Sequence, residues 1–206
     1  NQTTQKDNMA LTVVKTSALS GNINLTSQVT GALPVANGGT ALTSGFVNGG
    51  SVTVADMWQV TSGFVCTTGT NYFTAWSHTT TRGKGYLAST MSESSGVFTF
   101  PSTGIYLVQF MMGTEAQTLN ADNFFGRMYV TLDDGTYEAV SAGLFGQTSE
   151  GNSGMRSKTM HALVDVTDTA QVKVKFAYDS ASNVVYMHGG HLMNETAASF
   201  IRMGDT

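Results

Sequence analysis

The chain has 206 residues, of which 10 are Lys or Arg and 14 are Asp or Glu, so its formal net charge is −4. Only 12% of the residues are charged, about half the usual share of a soluble domain, and Gly, Thr, Ser and Asn together supply about 40%. This composition argues against nucleic-acid binding, which needs clustered cations, against a helical bundle, and against membrane insertion, since no apolar run approaches the ~18 residues of a membrane helix.

Residues 16–50 contain no charged residue and are dense in Gly, Ser, Thr and Asn. One interpretation is a flexible linker. The other is an extended arm whose apolar residues, Ile23, Leu25, Leu33 and Val35, are buried only against other chains. The recurrence of these residues favours the arm, because a solvated linker has no need of them. The sequence therefore predicts an extended N-terminal arm over residues 1–50, which docks onto other proteins, and one domain over residues 51–206.

From about residue 51 the pattern is that of β-strands. Apolar residues of one parity flank a corner at residues 101–104, namely Phe98, Phe100, Tyr106, Val108 and Phe110. Met128, Val130 and Leu132 alternate with Arg127, Tyr129 and Thr131, and the turn residues Asp133, Asp134 and Gly135 then lead into residues 137–140. Both segments have the period of two that marks a strand with one buried face.

The same period continues to the C-terminus. Val172, Val174, Phe176 and Tyr178 alternate with Gln171, Lys173, Lys175 and Ala177, after a turn at residues 165–168. Shorter strands are predicted over residues 184–187, before Gly189 and Gly190, and over residues 199–203. Turn signals at these intervals, with no helical segment between them, predict an all-β antiparallel sandwich.

The sequence offers no catalytic set, and we expect no enzyme. His188 and His191 are separated by two glycines, which favours a turn with two surface histidines over a zinc site, because further converging ligands would be needed. Cys66 has no Cys partner and no neighbouring cation, which favours an inert thiol over a nucleophile. No cofactor is expected, although the turn acids, such as Asp133, Asp134, Asp165 and Asp168, leave calcium as an alternative.

A family resemblance runs through the second domain. Residues 96–110, GVFTFPSTGIYLVQF, resemble the central signature of the complement-q globular head and the tumour-necrosis-factor-like jelly rolls, which is an aromatic residue, Pro, Gly-x-Tyr and an apolar strand. Residues 128–135 resemble the family's strand and turn, 164–176 its Asp-turn hairpin, and 198–204 its terminal Ser-Phe strand. The resemblance spans about residues 57–206. It implies a ten-strand jelly roll in a tight threefold trimer.

The composition agrees with a trimer. The chain has 11 Met, 11 Phe, 7 Tyr and 2 Trp, which is more apolar material than one small sandwich readily hides, and a closed cyclic oligomer would bury the surplus. Met111, Met112 and residues 200–203 are candidates for the trimer axis, with ordinary core positions as the alternative. Residues 1–50 lack the family's collagen-like Gly at period three, so its immune function is not implied.

Two shorter resemblances concern function. Residues 33–40, LPVANGGT, are similar to a repeat of bacteriophage tail fibres, and residues 91–104, MSESSGVFTFPSTG, resemble virion proteins of marine bacteriophages. They imply a structural virion protein: a homotrimeric jelly roll at the particle surface, anchored by its arm to other virion proteins. It would be either a tail fibre for host attachment or a capsid decoration or head fibre.

A host cell-surface receptor or glycan is a further candidate partner. An outer loop over residues 146–158 is the candidate site, with Gly146, Gln147, Ser149, Asn152, Arg156 and Lys158 as its binding residues. Its Gly, Ser and Asn content equally suits a plain surface loop.

Two other function classes stay as alternatives. A secreted complement-like sugar- or protein-binding module is expected to carry a disulfide, which one Cys cannot form internally. A polysaccharide depolymerase would need a groove with two carboxylates about 5–9.5 Å apart, whereas the acids here lie mainly in turns.

Overall fold

The structure is a computed structural model, and it describes residues 52–78, 84–117, 124–145, 154–181, 184–190 and 192–206. The predicted arm, with Ile23, Leu25, Leu33 and Val35, lies outside the described residues. The described part of the chain consists of strands, turns and connections. It contains no helix that has the length and apolarity to cross a bilayer.

The described residues form fourteen strands. In chain order they are β1 Val54–Val60, β2 Phe64–Val65, β3 Gly69–Tyr72, β4 Trp76–Ser77, β5 Leu87–Ala88, β6 Ser92–Ser94, β7 Val97–Thr99, β8 Gly104–Ala116, β9 Phe124–Thr131, β10 Tyr137–Phe145, β11 Gly154–Val166, β12 Lys173–Ser180, β13 Val185–Met187 and β14 Ala197–Gly204.

The strands form two antiparallel sheets that pack face to face. The first has eight strands in the order β2-β13-β8-β14-β1-β4, with β11 on the other edge of β8 and β5 paired with β1. The second has six strands in the order β10-β9-β12-β7-β6, with β3 also paired with β12. The predicted all-β antiparallel sandwich is therefore confirmed.

The core lies between the sheets and is largely aromatic. Phe176 on β12 is completely buried, and its ring centroid lies 4.5 Å from that of Phe110 on β8 and 5.7 Å from that of Phe98 on β7. Trp76 and Phe200 complete this cluster at 5.6 and 6.2 Å from Phe176. The predicted parities are confirmed, because Phe98, Phe100, Tyr106, Val108, Phe110, Val172, Val174, Phe176 and Tyr178 are all buried.

The corner at residues 101–104 carries the chain from one sheet to the other. The strand before it, β7, belongs to the six-stranded sheet, and β8 after it belongs to the eight-stranded sheet. The Tyr106 hydroxyl donates to the carbonyl oxygen of Ser102 at 3.1 Å, which fixes the corner from the core side. Gly104 has φ +138° and lies against Arg202, so a side chain at this position would clash.

The predicted turn at residues 133–135 joins β9 and β10 in one hairpin. One carboxylate oxygen of Asp133 accepts hydrogen bonds from the Thr131 hydroxyl and from the backbone N–H groups of Gly135 and Thr136. These donors lower the pKa of Asp133, with the Thr131 hydroxyl as the largest contribution. Leu132 was placed with the buried residues of this strand, but β9 ends at Thr131, so Leu132 belongs to the turn and is 69% exposed.

The segment over residues 164–176 is not a hairpin. Its two strands, β11 and β12, lie in different sheets, since β11 pairs with β8 whereas β12 pairs with β9. The turn at Asp168 therefore crosses the sandwich, and the backbone N–H of Val172 donates to the Asp168 carbonyl at 2.9 Å to close it. The predicted C-terminal strands correspond to β13 and β14.

Truncation of Phe176 should test the aromatic core. We expect Phe176→Ala to lower the free energy of unfolding by about 3–5 kcal/mol, because it opens a cavity among four aromatic neighbours. Leu192→Ala, at a position that is 57% exposed, serves as the control and should change it by less than about 0.5 kcal/mol. Urea unfolding at one fixed protein concentration measures both changes.

Candidate functional site

The outward face of the eight-stranded sheet is unusually apolar. Along β8, the side chains of Tyr106, Val108 and Phe110 point into the core and are completely buried. The intervening residues, including Leu107 and Met111, therefore point to the opposite face. In an antiparallel sheet with one face on the core, the other face is normally polar. The central strand of this sheet instead carries Leu107 and Met111 on its outward side, on either side of the uncharged Gln109, and its one charged residue there, Glu115, lies near its end.

The strand register aligns the outward-pointing residues of β1, β14, β8 and β11 in three rows across the sheet. One row contains Ala55, Ile201, Leu107 and Leu163, the next contains Met57, Ser199, Gln109 and His161, and the third contains Gln59, Ala197, Met111 and Thr159. None of these twelve residues is Lys, Arg, Asp or Glu, and His161 is the one titratable group among them. We call these rows the uncharged face.

A cleft of about 180 Å³ lies within the uncharged face, between Met57, Met111 and Thr159. Asn194 forms one of its walls, and its side-chain N–H donates to the Met57 sulfur at 2.7 Å. The Asn194 side-chain oxygen is buried and has no hydrogen-bond partner among the described residues. Buried polar atoms are nearly always paired, so the hydrogen bonds of this cleft are incomplete within the described residues.

A second apolar surface borders the uncharged face. It lies along β10 and β11, which are the edge strands of the two sheets on the same side of the sandwich. Leu132, Val140 and Leu163 are 69%, 50% and 69% exposed and surround a depression of about 330 Å³. We call these three residues the apolar edge. Leu163 belongs to both surfaces, so the edge and the face meet along β11.

Of the residues that were candidates for a trimer axis, some point outward and others are buried in the core. Met111 and Ile201 point outward and belong to the uncharged face. Met112 and Phe200 are completely buried core residues, so they cannot line an axis. Met203 is 56% exposed at the end of β14. Alternation along β8 and β14 decides which of these side chains point into the core and which point outward. The sequence alone left both orientations open at these positions.

The structure describes only the last part of the candidate outer loop, from residue 154 onward. Gly146, Gln147, Ser149 and Asn152 lie outside the described residues. Arg156 and Lys158 belong instead to β11, which begins at Gly154 and pairs them with Thr114 and Met112 on β8. The prediction was wrong here because this end of β11 is polar and exposed, which locally resembles a loop.

Sequence reasoning missed a buried carboxylate on β1. The Asp56 side chain is fully buried and is held by four donors: the backbone N–H groups of Met57 and Met91 at 2.8 Å, the Trp58 indole at 2.9 Å and the His78 imidazole at 2.6 Å. The His78 ring lies between Trp58 and Tyr86, with centroid distances of 4.9 and 4.8 Å. Because protein donors already satisfy the carboxylate, the arrangement is a structural clamp between β1 and the chain at residues 78 and 91.

The other candidate chemical groups are also occupied or isolated. Cys66 is completely buried, and burial raises the pKa of its thiol to about 12. His188 lies 3.4 Å from Glu115 on β8, while His191 lies outside the described residues. Asp134 pairs with Lys173 and Asp179 with Arg127. Within the described residues, no three His, Cys, Asp or Glu side chains come close enough together to hold a metal ion.

Comparisons with known proteins identify the fold. No family model and no curated protein matches the sequence. Among solved structures, murine APRIL is 11% identical with a TM-score of 0.50, covering 72% of this chain and 98% of that one. Eiger TNF from S. frugiperda is 14% identical with a TM-score of 0.48, covering 76% of this chain and 96% of that one. The described domain therefore has the fold of a TNF-like jelly roll, as the likeness to APRIL shows. The described residues form fourteen strands instead of the ten that the resemblance implied.

Removal of the Asp56 carboxylate should destabilise the domain. We expect Asp56→Ala to lower the free energy of unfolding by about 3 kcal/mol, because buried donors lose their acceptor. Asp56→Asn retains one acceptor oxygen and should cost less than Asp56→Ala. Urea unfolding measures both variants, and equal stability of Asp56→Ala and the unchanged protein would contradict the clamp.

The Cys66 thiol should be inert in the folded protein. Its folded pKa is raised from 9.0 to about 12, so the thiol is neutral at pH 8. We expect a disulfide reagent such as Ellman's to label Cys66 at pH 8 only after unfolding in denaturant. The unfolded thiol ionises near pH 9, so this group's contribution to stability is lost as the pH rises from about 9 to 12.

Proposed function

We propose that this chain is a structural, non-enzymatic protein of a bacteriophage particle. It forms a homotrimer whose jelly rolls are displayed at the virion surface, and its N-terminal arm attaches the trimer to capsid or tail proteins. The observation that carries the proposal is the uncharged face, on which Met57 and Leu163 are exposed in one subunit and Leu107, Met111 and Ile201 are half-buried. The proposed role needs no cofactor.

Burial of this face against a second copy is energetically sound. None of the twelve residues in its three rows is Lys, Arg, Asp or Glu, so the desolvation cost of a buried ion is small. A charged group beside the rows is the Lys84 ammonium, which donates to Gln59 at 2.6 Å. Each Leu, Ile or Met side chain that becomes fully buried contributes about 1.5–3 kcal/mol.

The two apolar surfaces favour a cyclic assembly. The uncharged face and the apolar edge are different parts of one subunit, so a contact between them is heterologous and repeats from copy to copy. Such contacts close into a ring when the rotation permits. Three is the number that the resemblance to complement-q and tumour-necrosis-factor-like jelly rolls implies.

The virion role is supported by the sequence. Residues 33–40 are similar to a tail-fibre repeat, and residues 91–104 resemble virion proteins of marine bacteriophages. The second segment includes β6, β7 and the corner that leads into β8. An uncharged arm before the jelly roll suits attachment by burial against neighbouring virion proteins.

A charge placed in the uncharged face should separate the subunits. We expect Met111→Glu to convert a species of three times 21.8 kDa into monomers, because three carboxylates would be buried in the assembly. Ser94→Glu, on the exposed face of the other sheet, is the control and should leave the mass unchanged. Sedimentation equilibrium measures the masses, and an unmodified protein that stays at 21.8 kDa would refute the trimer.

Mixing two damaged variants tests whether the contact is heterologous. Met111→Glu damages the face and leaves the edge intact, while Leu132→Arg damages the edge and leaves the face intact. We expect each variant alone to be a monomer and an equimolar mixture to form a one-to-one dimer, because one undamaged pair of surfaces remains. A face-to-face contact would give no complex in the mixture.

The arm should be required for incorporation into particles. We expect a chain with Ile23, Leu25, Leu33 and Val35 all replaced by Asp to remain a trimer but to be lost from virions. Quantitative immunoblotting of purified particles measures incorporation, and gold-labelled antibody on unchanged virions distinguishes head from tail. Normal incorporation of the altered chain, or no gold label on either structure, would contradict the proposal.

A further inference from the structure

The outward face of the six-stranded sheet carries an unusual group of tyrosines around one lysine. The Lys175 ammonium lies 4.1 Å from the centre of the Tyr72 ring and 3.8 Å from that of Tyr137. A third ring, Tyr129, lies directly across from Lys175 in the sheet and 5.7 Å from Tyr72. We call these four residues the tyrosine platform.

The rings are accessible from solvent. Tyr72 is 43% exposed, and the other three residues of the platform are half-buried. They come from four neighbouring strands, β3, β12, β9 and β10, which are hydrogen-bonded to one another. The position directly opposite Tyr72 on β12 is the small, buried Ala177, and Arg127 lies opposite Ala177 on β9. The rings therefore form a broad surface instead of a pocket.

Lys175 is a cation without a counter-ion in the described residues. The neighbouring cations have one, since Lys173 pairs with Asp134 at 2.6 Å and Arg127 pairs with Asp179. Lys175 instead contacts the two ring faces, and partial burial lowers the pKa of its ammonium. An ammonium that is held in place and partly stripped of water attracts an anion more strongly than a solvated one.

We propose that the tyrosine platform binds an acidic polysaccharide. The rings offer apolar faces to the C–H groups of a sugar ring, and the Lys175 ammonium pairs with a uronate carboxylate. The flanking ion pairs, Arg127 with Asp179 and Lys173 with Asp134, supply donors and acceptors for sugar hydroxyls on either side. The ligand class is a polymer that contains uronic acids.

A peptide fits this surface less well. Extended peptides gain most of their affinity when they add a strand to a free sheet edge. The platform lies on the face of strands that are already paired, so its backbone groups are not available to a peptide. A sugar needs only ring faces, hydroxyl partners and a charge, all of which side chains supply here.

The platform shares no residue with the proposed assembly surface. It lies on the outer side of the six-stranded sheet, whereas the uncharged face lies on the outer side of the eight-stranded sheet. The apolar edge comes nearer, because Val140 and Tyr137 both lie on β10. We expect a trimer to leave the three platforms in solution. Three sites on one particle would raise the apparent affinity for a polymer without any new contact.

Affinity electrophoresis in native gels tests the proposal. The gels contain alginate or hyaluronate, which carry uronates, or dextran, which is neutral. We expect the unchanged protein to be retarded in the uronate gels at 150 mM salt and not in dextran. Lys175→Met should weaken the retardation about tenfold, since it removes a charged hydrogen bond. Tyr72→Ala should also weaken it, since it removes a ring face that packs against the sugar and against the Lys175 ammonium.

Matched controls separate binding from folding and from general charge. Lys158→Met removes an exposed lysine of β11 that the sequence made a candidate binding residue, so this variant tests the platform against that other site. Tyr86→Ala removes an exposed tyrosine of the connection before β5. Both should bind as the unchanged protein does, and urea unfolding should show that all four variants fold. Absence of retardation in both uronate gels, equal retardation in dextran, or an equal loss in Lys158→Met would each overturn the proposal.

The test also keeps this proposal apart from the trimer. The monomeric Met111→Glu variant should still be retarded in the uronate gels, although less than the trimer because it has one platform. Retardation of a protein that proves to be monomeric would support the platform and refute the trimer. A trimer that is not retarded would support the trimer and refute the platform.

Discussion

Strand β8 has apolar side chains on both faces, and the sandwich covers only one of them. Tyr106, Val108 and Phe110 enter the core, while Leu107 and Met111 point away from it. β8 is also the strand on which its sheet is built, because β11, β14 and β13 all pair with it. An apolar outer side on this strand places an uncovered surface at the centre of the sheet. The proposed assembly follows from the need to cover it.

The low charge of the chain has different causes in different regions. On the uncharged face, Ser, Thr and Gln take the positions between the apolar residues, where a buried ion would cost several kcal/mol. On the other sheet, lysines and arginines remain, and most of them pair with turn or strand carboxylates. The two outer faces are therefore chemically distinct, one suited to contact between subunits and the other to contact with a charged, hydroxyl-rich ligand.

The sequence predicted those features of the fold that depend on the two-residue period of strands and on turn residues. The parities around the corner at residues 101–104, the β12 alternation and the Asp133 hairpin are all found in the structure. It did not predict the Asp56 clamp or the tyrosine platform, because both join residues from strands far apart in sequence. It also misassigned residues 154–158, since a polar strand edge resembles a loop. The resemblance treated residues 164–176 as a hairpin, and only the pairing partners of β11 and β12 show that the chain crosses the sandwich.

The central claim is that the face of one copy lies on the edge of the next. Photo-cross-linking from benzoylphenylalanine at position 111 tests it most directly. We expect covalent products of two and three times 21.8 kDa, with the cross-link on a peptide that contains Leu132 or Val140 of another copy. Cross-links confined to a single chain, or joining position 111 to the uncharged face of a second copy, would contradict the account.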